Sequence, residues 1–268
     1  MINFGPATSL SSEGAIRLGQ AILHIHSTYS DGLATVDEIL DEVENHSDVD
    51  VVGFTDHDDV RAYQHALRWV AEHPGSRVRP LWGLELTIRA FKHLLVYCFE
   101  PPFRTGPFPK FLPLEEAVRR IKAAGGTIVV PHVDTFWVGM GRHRLARVAK
   151  SLGIDGLELL TPFQGSPRSI RNLERSNHAL DLLAVGGSDA HHIEDLYKVI
   201  VDFPGRSVSD LGRAFRERTA VPRWGWRGAR VPLQRQLRQH TRALLFHPAE
   251  QLHGWGRQRL AARARLQG

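Results

Sequence analysis

Six histidines in this chain stand beside acids at the ends of short apolar runs, an arrangement that suits metal ions. The run Ala21 to His26 ends in His24-Ile25-His26, and Val49 to Thr55 leads into Asp56-His57-Asp58. Glu85 follows Gly83-Leu84, His93 opens another run, and Pro131-His132 follows Val129-Val130. Last comes Gly186-Gly187-Ser188-Asp189-Ala190-His191. Side chains two apart on a strand project to the same side, so His24 and His26 can reach one ion. A lone His-x-His also occurs on half-buried strands without metal, and one buried histidine is more often a satisfied core residue. Six, with Asp and Glu, repeating at strand ends, point to a metal centre. Cys98 is the only cysteine, so any metal binds through His, Asp and Glu, which admits Zn, Mn, Fe or Co.

Positioning such a cluster requires strands that end together. Strand-like runs span 21–26, 49–55, 78–86, 93–99, 127–130, 156–160, 182–185 and 198–203. Helical patterns fall at 36–45, 59–72, 114–124, 142–152, 167–179 and 208–218, and this alternation predicts βα units around a parallel sheet. Thr35 with Glu38 predicts a capping box. Gly125-Gly126 and Gly153 read as helix stops. The stretch 100–113 holds five prolines and reads as an irregular loop. Parallel α/β sheets and barrels build their sites at the C-terminal strand ends, where these histidines fall.

The length of 268 residues suits one large domain, or a domain with an appendage, and 42% hydrophobic with 24% charged residues excludes a disordered or collagen-like chain. A single cysteine excludes a disulfide framework and asks for no oxidising compartment. No apolar stretch nears the roughly 20 residues that span a bilayer and no leader pattern opens the chain, so a cytoplasmic protein is expected. The net charge of +5 is uneven: positions 221–268 carry ten Arg and one acid, Glu250, whereas 1–220 has an acidic excess. We therefore divide the chain into a body, 1–220, and an Arg-rich, helical extension, 221–268. Leu233, Leu237, Leu244 and Leu245, with Arg235, Arg238 and Arg242 between them, predict an amphipathic basic helix over 231–246. Packing on the body is favoured, with oligonucleotide or anionic-membrane binding as alternatives. Trp224, Trp226 and Trp255 could stack bases or fill core.

The ordered set His24-Ile25-His26-Ser27, Thr55-Asp56-His57, Pro131-His132 and Ser188-Asp189-Ala190-His191 resembles the motifs of the polymerase and histidinol phosphatase (PHP) superfamily over roughly residues 21–203. The resemblance implies an α/β fold, a distorted (β/α)7 barrel, holding two or three divalent metal ions. It implies His24, His26, Glu85 and Asp189 on one metal and Glu85, His93 and His132 on a second, with Glu85 bridging. Asp31, His57 and His191 would hold a third. Glu85, Asp189 and His191 are the candidate catalytic residues of this set. The implied reaction is hydrolysis of a phosphomonoester or phosphodiester by a metal-bound hydroxide, since paired cations lower the pKa of water from 15.7 to about 7 and stabilise attacking and leaving oxygens. Expected substrates are a small phosphorylated metabolite, a nucleotide or an oligonucleotide, with nucleic acid reached through the basic tail.

Around this set, Asp56 or Asp58 could accept a ligand's free ring N–H or cap a helix. Asp134 could orient a ligand or a leaving group, or be structural. Arg61, Lys92, Arg142, His143 and Arg168 follow strand ends and are the candidate phosphate-binding residues, surface charge being the alternative for each. Two rival functions are a noncatalytic nucleic-acid-binding scaffold, against which the filled ligand set argues, and a carbon–nitrogen hydrolase using the same metals. Turnover of amides with none of phosphate esters would favour the latter.

Overall fold

A computed structural model of the chain describes residues 18–100, 108–164, 166–226 and 230–246. Nine strands form one sheet: β1 (Leu18–Ile25), β2 (Val51–Phe54), β3 (Arg79–Ile88), β4 (Lys92–Cys98), β5 (Thr127–Val130), β6 (Gly156–Leu160), β7 (Leu183–Gly186), β8 (Val199–Pro204) and β9 (Val221–Trp224). Their order is β7-β6-β5-β4-β3-β2-β1-β8-β9. The sheet curls into a nearly closed barrel, for a Cβ on Gly186 of β7 would lie 2.4 Å from Val199 of β8 and 2.9 Å from Pro222 of β9. Helices α1 (Val36–His46), α2 (Arg61–Glu72), α3 (Leu114–Ala123), α4 (Arg142–Leu152), α5 (Pro167–Leu180), α6 (Val208–Glu217) and α7 (Leu233–Thr241) complete the architecture.

The expected parallel pairing holds for β1-β2-β3 and β5-β6-β7 but not throughout the sheet. β4 pairs antiparallel with both β3 and β5, and β8 pairs antiparallel with β1 and β9, so two strands run against the other seven. The cause at β4 is local: only Arg89–Phe91 separates it from β3, too short for the crossover that a parallel neighbour needs. The reversal places the first residues of β4 level with the last residues of the parallel strands. Residues 221–224, assigned from the sequence to the extension, pair as β9 along β8.

Strand alternation sorts the core into an inside and an outside. Ala21, Leu23, Val51, Leu81, Leu95, Tyr97, Val129, Leu183, Val185, Val201 and Phe203 fill the barrel. Their neighbours Ile22, Val52 and Phe54 pack outward with α1 and α2, and Leu84, Leu86, Val96, Ile128 and Leu157 with α3, α4 and α5. One end is stoppered by α6, whose Leu211, Ala214 and Phe215 join the interior cluster, with the Phe215 ring 4.9 Å from Phe99 and 6.3 Å from Tyr97. The other end is left to polar residues.

Local signals behave as their chemistry requires. Thr35 and Glu38 form the expected capping box on α1, and Ser207 with Asp210 forms another on α6. Gly153 ends α4 with φ +72°, and Gly125 has φ +81°. Of the proline-rich segment, 101–107 lies outside the described residues; Phe111 N–H reaches the Thr87 carbonyl and the Leu112 carbonyl accepts from Arg89. The C-terminal helix docks through its polar side: Arg235 pairs with Glu194 at 2.5 Å and Arg242 donates to the Thr28 carbonyl at 2.9 Å, while Leu233, Leu237 and Leu244 face solvent. Trp226 stacks on Tyr197, Trp224 is exposed, and Trp255 lies outside the described residues. No helix among the described residues is long and apolar enough to cross a membrane.

If α6 is the stopper of the barrel, Phe215→Ala should cost about 3–5 kcal/mol of unfolding free energy, read from urea titrations, because the ring leaves a cavity that Phe99 and Tyr97 cannot refill.

Candidate metal centre

All nine histidines and acids proposed as ligands gather at the open end of the barrel. β1 delivers His24 and His26, but not by simple alternation. The β1–β2 register shifts between Ile22 and Ile25, and His24 has φ +62°, so a bulge re-aims the strand there. Beyond the bulge, β1 zips onto the segment after β7: Ser188 N–H donates to Leu23, Ala190 N–H to His24, and His26 N–H to the Ala190 carbonyl. This ladder brings Asp189 and His191 against His24 and His26. Asp31 is folded back onto them at a turn where a Cβ on Gly32 would stand 2.1 Å from the His26 carbonyl oxygen, and Leu33 N–H holds the His191 carbonyl. His57 bridges to Glu85 across β2 and β3, His132 follows β5, and His93 arrives from the reversed β4.

Glu85 is the hub. It lies on the inward face of β3, 1% exposed, with its two oxygens turned to different histidines. Oε2 is 3.1 Å from His24 Nε2, 3.1 Å from His26 Nε2 and 3.4 Å from His57 Nδ1. Oε1 is 2.9 Å from His93 Nδ1 and 3.1 Å from His132 Nε2. Asp189 Oδ1 lies 3.4 Å from His24 Nε2 and 3.3 Å from His26 Nε2, and Asp31 Oδ2 lies 3.2 Å from His191 Nε2.

Four groupings have ligand atoms within 4.8 Å of one another: His24-His26-Asp189, His24-Glu85-His132, His57-Glu85-His93 and His26-Asp31-His57-His191. Donor atoms on a tetrahedral zinc with bonds near 2.0–2.1 Å stand about 3.3 Å apart, which is the spacing seen here. Three of these atoms, His26 Nε2, Asp31 Oδ1 and His93 Nδ1, are buried close to an oppositely charged neighbour but without a well-directed hydrogen bond. Polar atoms so placed are expected to have a partner, and the donor set fits divalent cations.

Protons take that place when no cation does. Burial opposes charge at His24 and His26, but neighbouring carboxylates outweigh it, raising His24 through Glu158, Asp189 and Glu85 and His26 to about 10 through Asp189, Glu85 and Asp31. Burial likewise opposes ionisation of Glu85 and Asp189, and the surrounding histidines overcome it, holding both well below the usual carboxylate range. At His57 burial prevails and the pKa is lowered.

The partner that fixes a ligand's ring is one that sequence reasoning missed. Glu158, fully buried on β6, accepts from His24 Nδ1 at 2.7 Å and from the His132 backbone N–H at 2.8 Å. Gly187 makes room for it, since a Cβ there would fall 1.7 Å from Glu158 Oε1. Its one sequence signal is an acid inside the apolar run Gly156-Leu157-Glu158-Leu159-Leu160. The role suggested for Asp56 or Asp58 goes elsewhere. Asp56 accepts from Ser27 N–H, Ser27 Oγ and Ser30 Oγ at 2.6–2.9 Å, bracing the turn after β1. Asp58 accepts from Thr87 N–H at 2.7 Å. Asp134 accepts from Arg142 N–H at the start of α4.

Of the five candidate phosphate-binding residues, Arg61, Arg142, His143 and Arg168 stand at helix N-termini around the opening and Lys92 begins β4. Arg61 is held by Asp59 at 2.8 Å and lies 5.0 Å over the Tyr29 ring; Arg142 Nε is 3.8 Å from Asp134; His143 and Arg168 are exposed. Lys92 donates to the Trp137 carbonyl.

This barrel with a histidine–carboxylate cluster at its mouth has known counterparts. Residues 23–182 match the PHP domain family and residues 173–220 the PHP-associated family. The chain belongs to the PHP domain family. No curated protein matches it. Among solved structures it is similar to a two-domain protein from Bacteroides vulgatus containing a predicted PHP-like metal-dependent phosphoesterase, at TM-score 0.58 and 18% identity over 78% of this chain and 65% of that one. It is similar to an amidohydrolase from Chromobacterium violaceum with bound sulfate, at 0.53 and 18% over 75% and 97%. The lesion-specific endonuclease Q of Pyrococcus furiosus matches at 0.55 and 17%, over 75% of this chain and 56% of that one. At these identities the likeness is one of fold.

Two outcomes are expected. Glu158→Gln keeps the side chain's size but weakens its grip on His24, and should lower metal affinity about 10–100-fold in competition with a chromophoric chelator. Because His26 carries a proton below pH about 10 when no cation is bound, metal binding should release protons and tighten as pH rises towards that value, read by calorimetry in buffers of different ionisation enthalpy.

Proposed function

We propose that this protein hydrolyses phosphate esters with two or three divalent cations held by the nine gathered residues. The proposed division is His24, His26, Glu85 and Asp189 for one ion, Glu85, His93 and His132 for a second, and Asp31, His57 and His191 for a third. The observation that carries the reading is the split contact of Glu85, one oxygen among His24, His26 and His57 and the other between His93 and His132. A carboxylate so shared suits neighbouring cations better than a single one.

Bound there, such cations would clamp phosphoryl oxygens and acidify water near neutral pH. The protein's own share is positioning. Glu158 orients His24, the β1 ladder sets His26 against Asp189, and the Asp31 turn is tied to His191 through Leu33. The remaining carboxylates would balance the cations' charge. The helices α2, α4 and α5 begin close to Arg61, Arg142, His143 and Arg168, which we propose meet the substrate's phosphate as it enters, the helix N-termini adding to their positive potential.

We assign the substrate to the phosphomonoesters and phosphodiesters, either a phosphorylated small molecule or an oligonucleotide. Support for nucleic acid comes from the basic α7, tied by Arg242 to Thr28 just past His26, and from the endonuclease among the structural neighbours.

The test is metal content by elemental analysis together with turnover of an aryl phosphomonoester and a bis-aryl phosphodiester in added Mn or Zn. Two or three equivalents with turnover are expected. His26→Ala and Asp189→Ala should each remove turnover by at least about a thousandfold while circular dichroism stays unchanged, since each deletes a donor from the first cation's set. Full activity in purified His26→Ala, or turnover of amides alone, would overturn the reading.

A further inference from the structure

The loop from His132 to Arg142 holds two large aromatic side chains out in water. Phe136 is 81% and Trp137 77% exposed, and their rings stand edge to face with centroids 5.2 Å apart. This loop is built rather than slack. Thr135 N–H donates to His132, Gly139 N–H to Thr135 and Gly141 N–H to Val133, all at 2.8–2.9 Å. Gly139 is packed so closely that a Cβ would stand 2.5–2.7 Å from the carbonyl oxygens of Val133, Thr135 and His132. Trp137 itself has φ +70°, a conformation bulky residues rarely adopt, and its carbonyl is held by the Lys92 ammonium.

Both anchors of the loop are neighbours of the metal centre. His132 begins it, and Lys92 precedes His93, which touches Glu85 at 2.9 Å. The loop that carries the two aromatic rings is therefore held at the rim on the His93–His132 side. Phe91, 47% exposed, lies beside Lys92 on the β3–β4 turn of the same rim. Strained backbone that exposes aromatic surface gains nothing in folding, and such outliers collect where a ligand is held. The adjoining centre and Lys92 favour anions. A flat apolar group carried by a phosphate ester answers to both, and a nucleobase is such a group.

We infer that Phe136 and Trp137 form a nucleobase-stacking subsite, so that the ester cleaved here belongs to a nucleotide or a nucleic acid strand rather than to a base-free metabolite. This rests on the phosphoesterase reading above. Stacking on aromatic side chains tolerates any base, because every base offers a π face, so the subsite selects for a base without selecting which.

The test uses the full chain loaded with Mn and three substrates: adenosine 5′-monophosphate, the dinucleotide ApA and glycerol 2-phosphate. The ratio of kcat/KM for the better adenine ester to that for glycerol 2-phosphate should fall roughly ten- to a hundredfold in the Phe136→Ala/Trp137→Ala variant, mostly through KM. Trp137→Phe, which keeps a flat ring, should restore most of that ratio. Which of the two adenine esters is cleaved tells a nucleotide from a strand. An unchanged ratio overturns the inference. Should the wild type cleave no phosphate ester, the phosphoesterase reading fails, and equilibrium dialysis of adenosine 5′-monophosphate then decides the subsite alone. Equal binding by wild type and double variant refutes it, and binding at least tenfold weaker in the variant upholds it.

Discussion

A carboxylate buried inside a barrel is the constraint around which the rest of this structure is arranged. Glu85 sits on the inward face of β3 above Leu81, where an isolated charge would cost several kcal/mol. It is tolerated because five imidazoles converge on its two oxygens from β1, β2, β4 and β5. That convergence demands strands ending at one level and a barrel narrow enough for opposite walls to meet. It also demands the reversal of β4, the one way His93 can arrive at the start of a strand and still face the others. A closed, apolar far end completes the arrangement, since α6 with Phe215 fills the barrel beneath and leaves the polar cluster one opening.

Much of this was legible in the sequence because the chemistry is written in residue types that seldom cluster by chance. The nine residues proposed as ligands do come together, and the strand runs and the capping box at Thr35 fall where patterning puts them. Alternation is an incomplete reason for the pairing of His24 and His26. Alternation along a strand places them on one side, but the structure breaks the pleat at His24 and restores the pairing through the segment Ser188–Ala190. Spacing found the pair without finding the mechanism that presents it.

What was not legible depended on partners distant in sequence. Glu158 is one acid in an apolar run, and nothing nearby announces that His24 lies 134 positions away across the barrel. Asp56 carried the opposite fault: its place beside His57 suggested a bond to an imidazole, while its oxygens were claimed by Ser27 and Ser30. Strand direction was hidden too, because a buried antiparallel β4 has the same continuous apolar pattern as a parallel one. The helix α7 shows the limit of amphipathicity as a guide, since its Arg235 and Arg242 just past its end make the attachments while Leu233 and Leu237 face solvent.

His24, His132 and Asp189 share a backbone feature that bears on how such a chain is kept. Their φ values are +62°, +30° and +46°, conformations that cost non-glycine residues of order 1–3 kcal/mol each. At these three positions the fold is held against its own preference. Glycine or asparagine at any of the three would relieve that cost and take an imidazole or a carboxylate out of the centre. Backbone comfort and the nine-residue cluster therefore pull against each other at these three positions of the barrel.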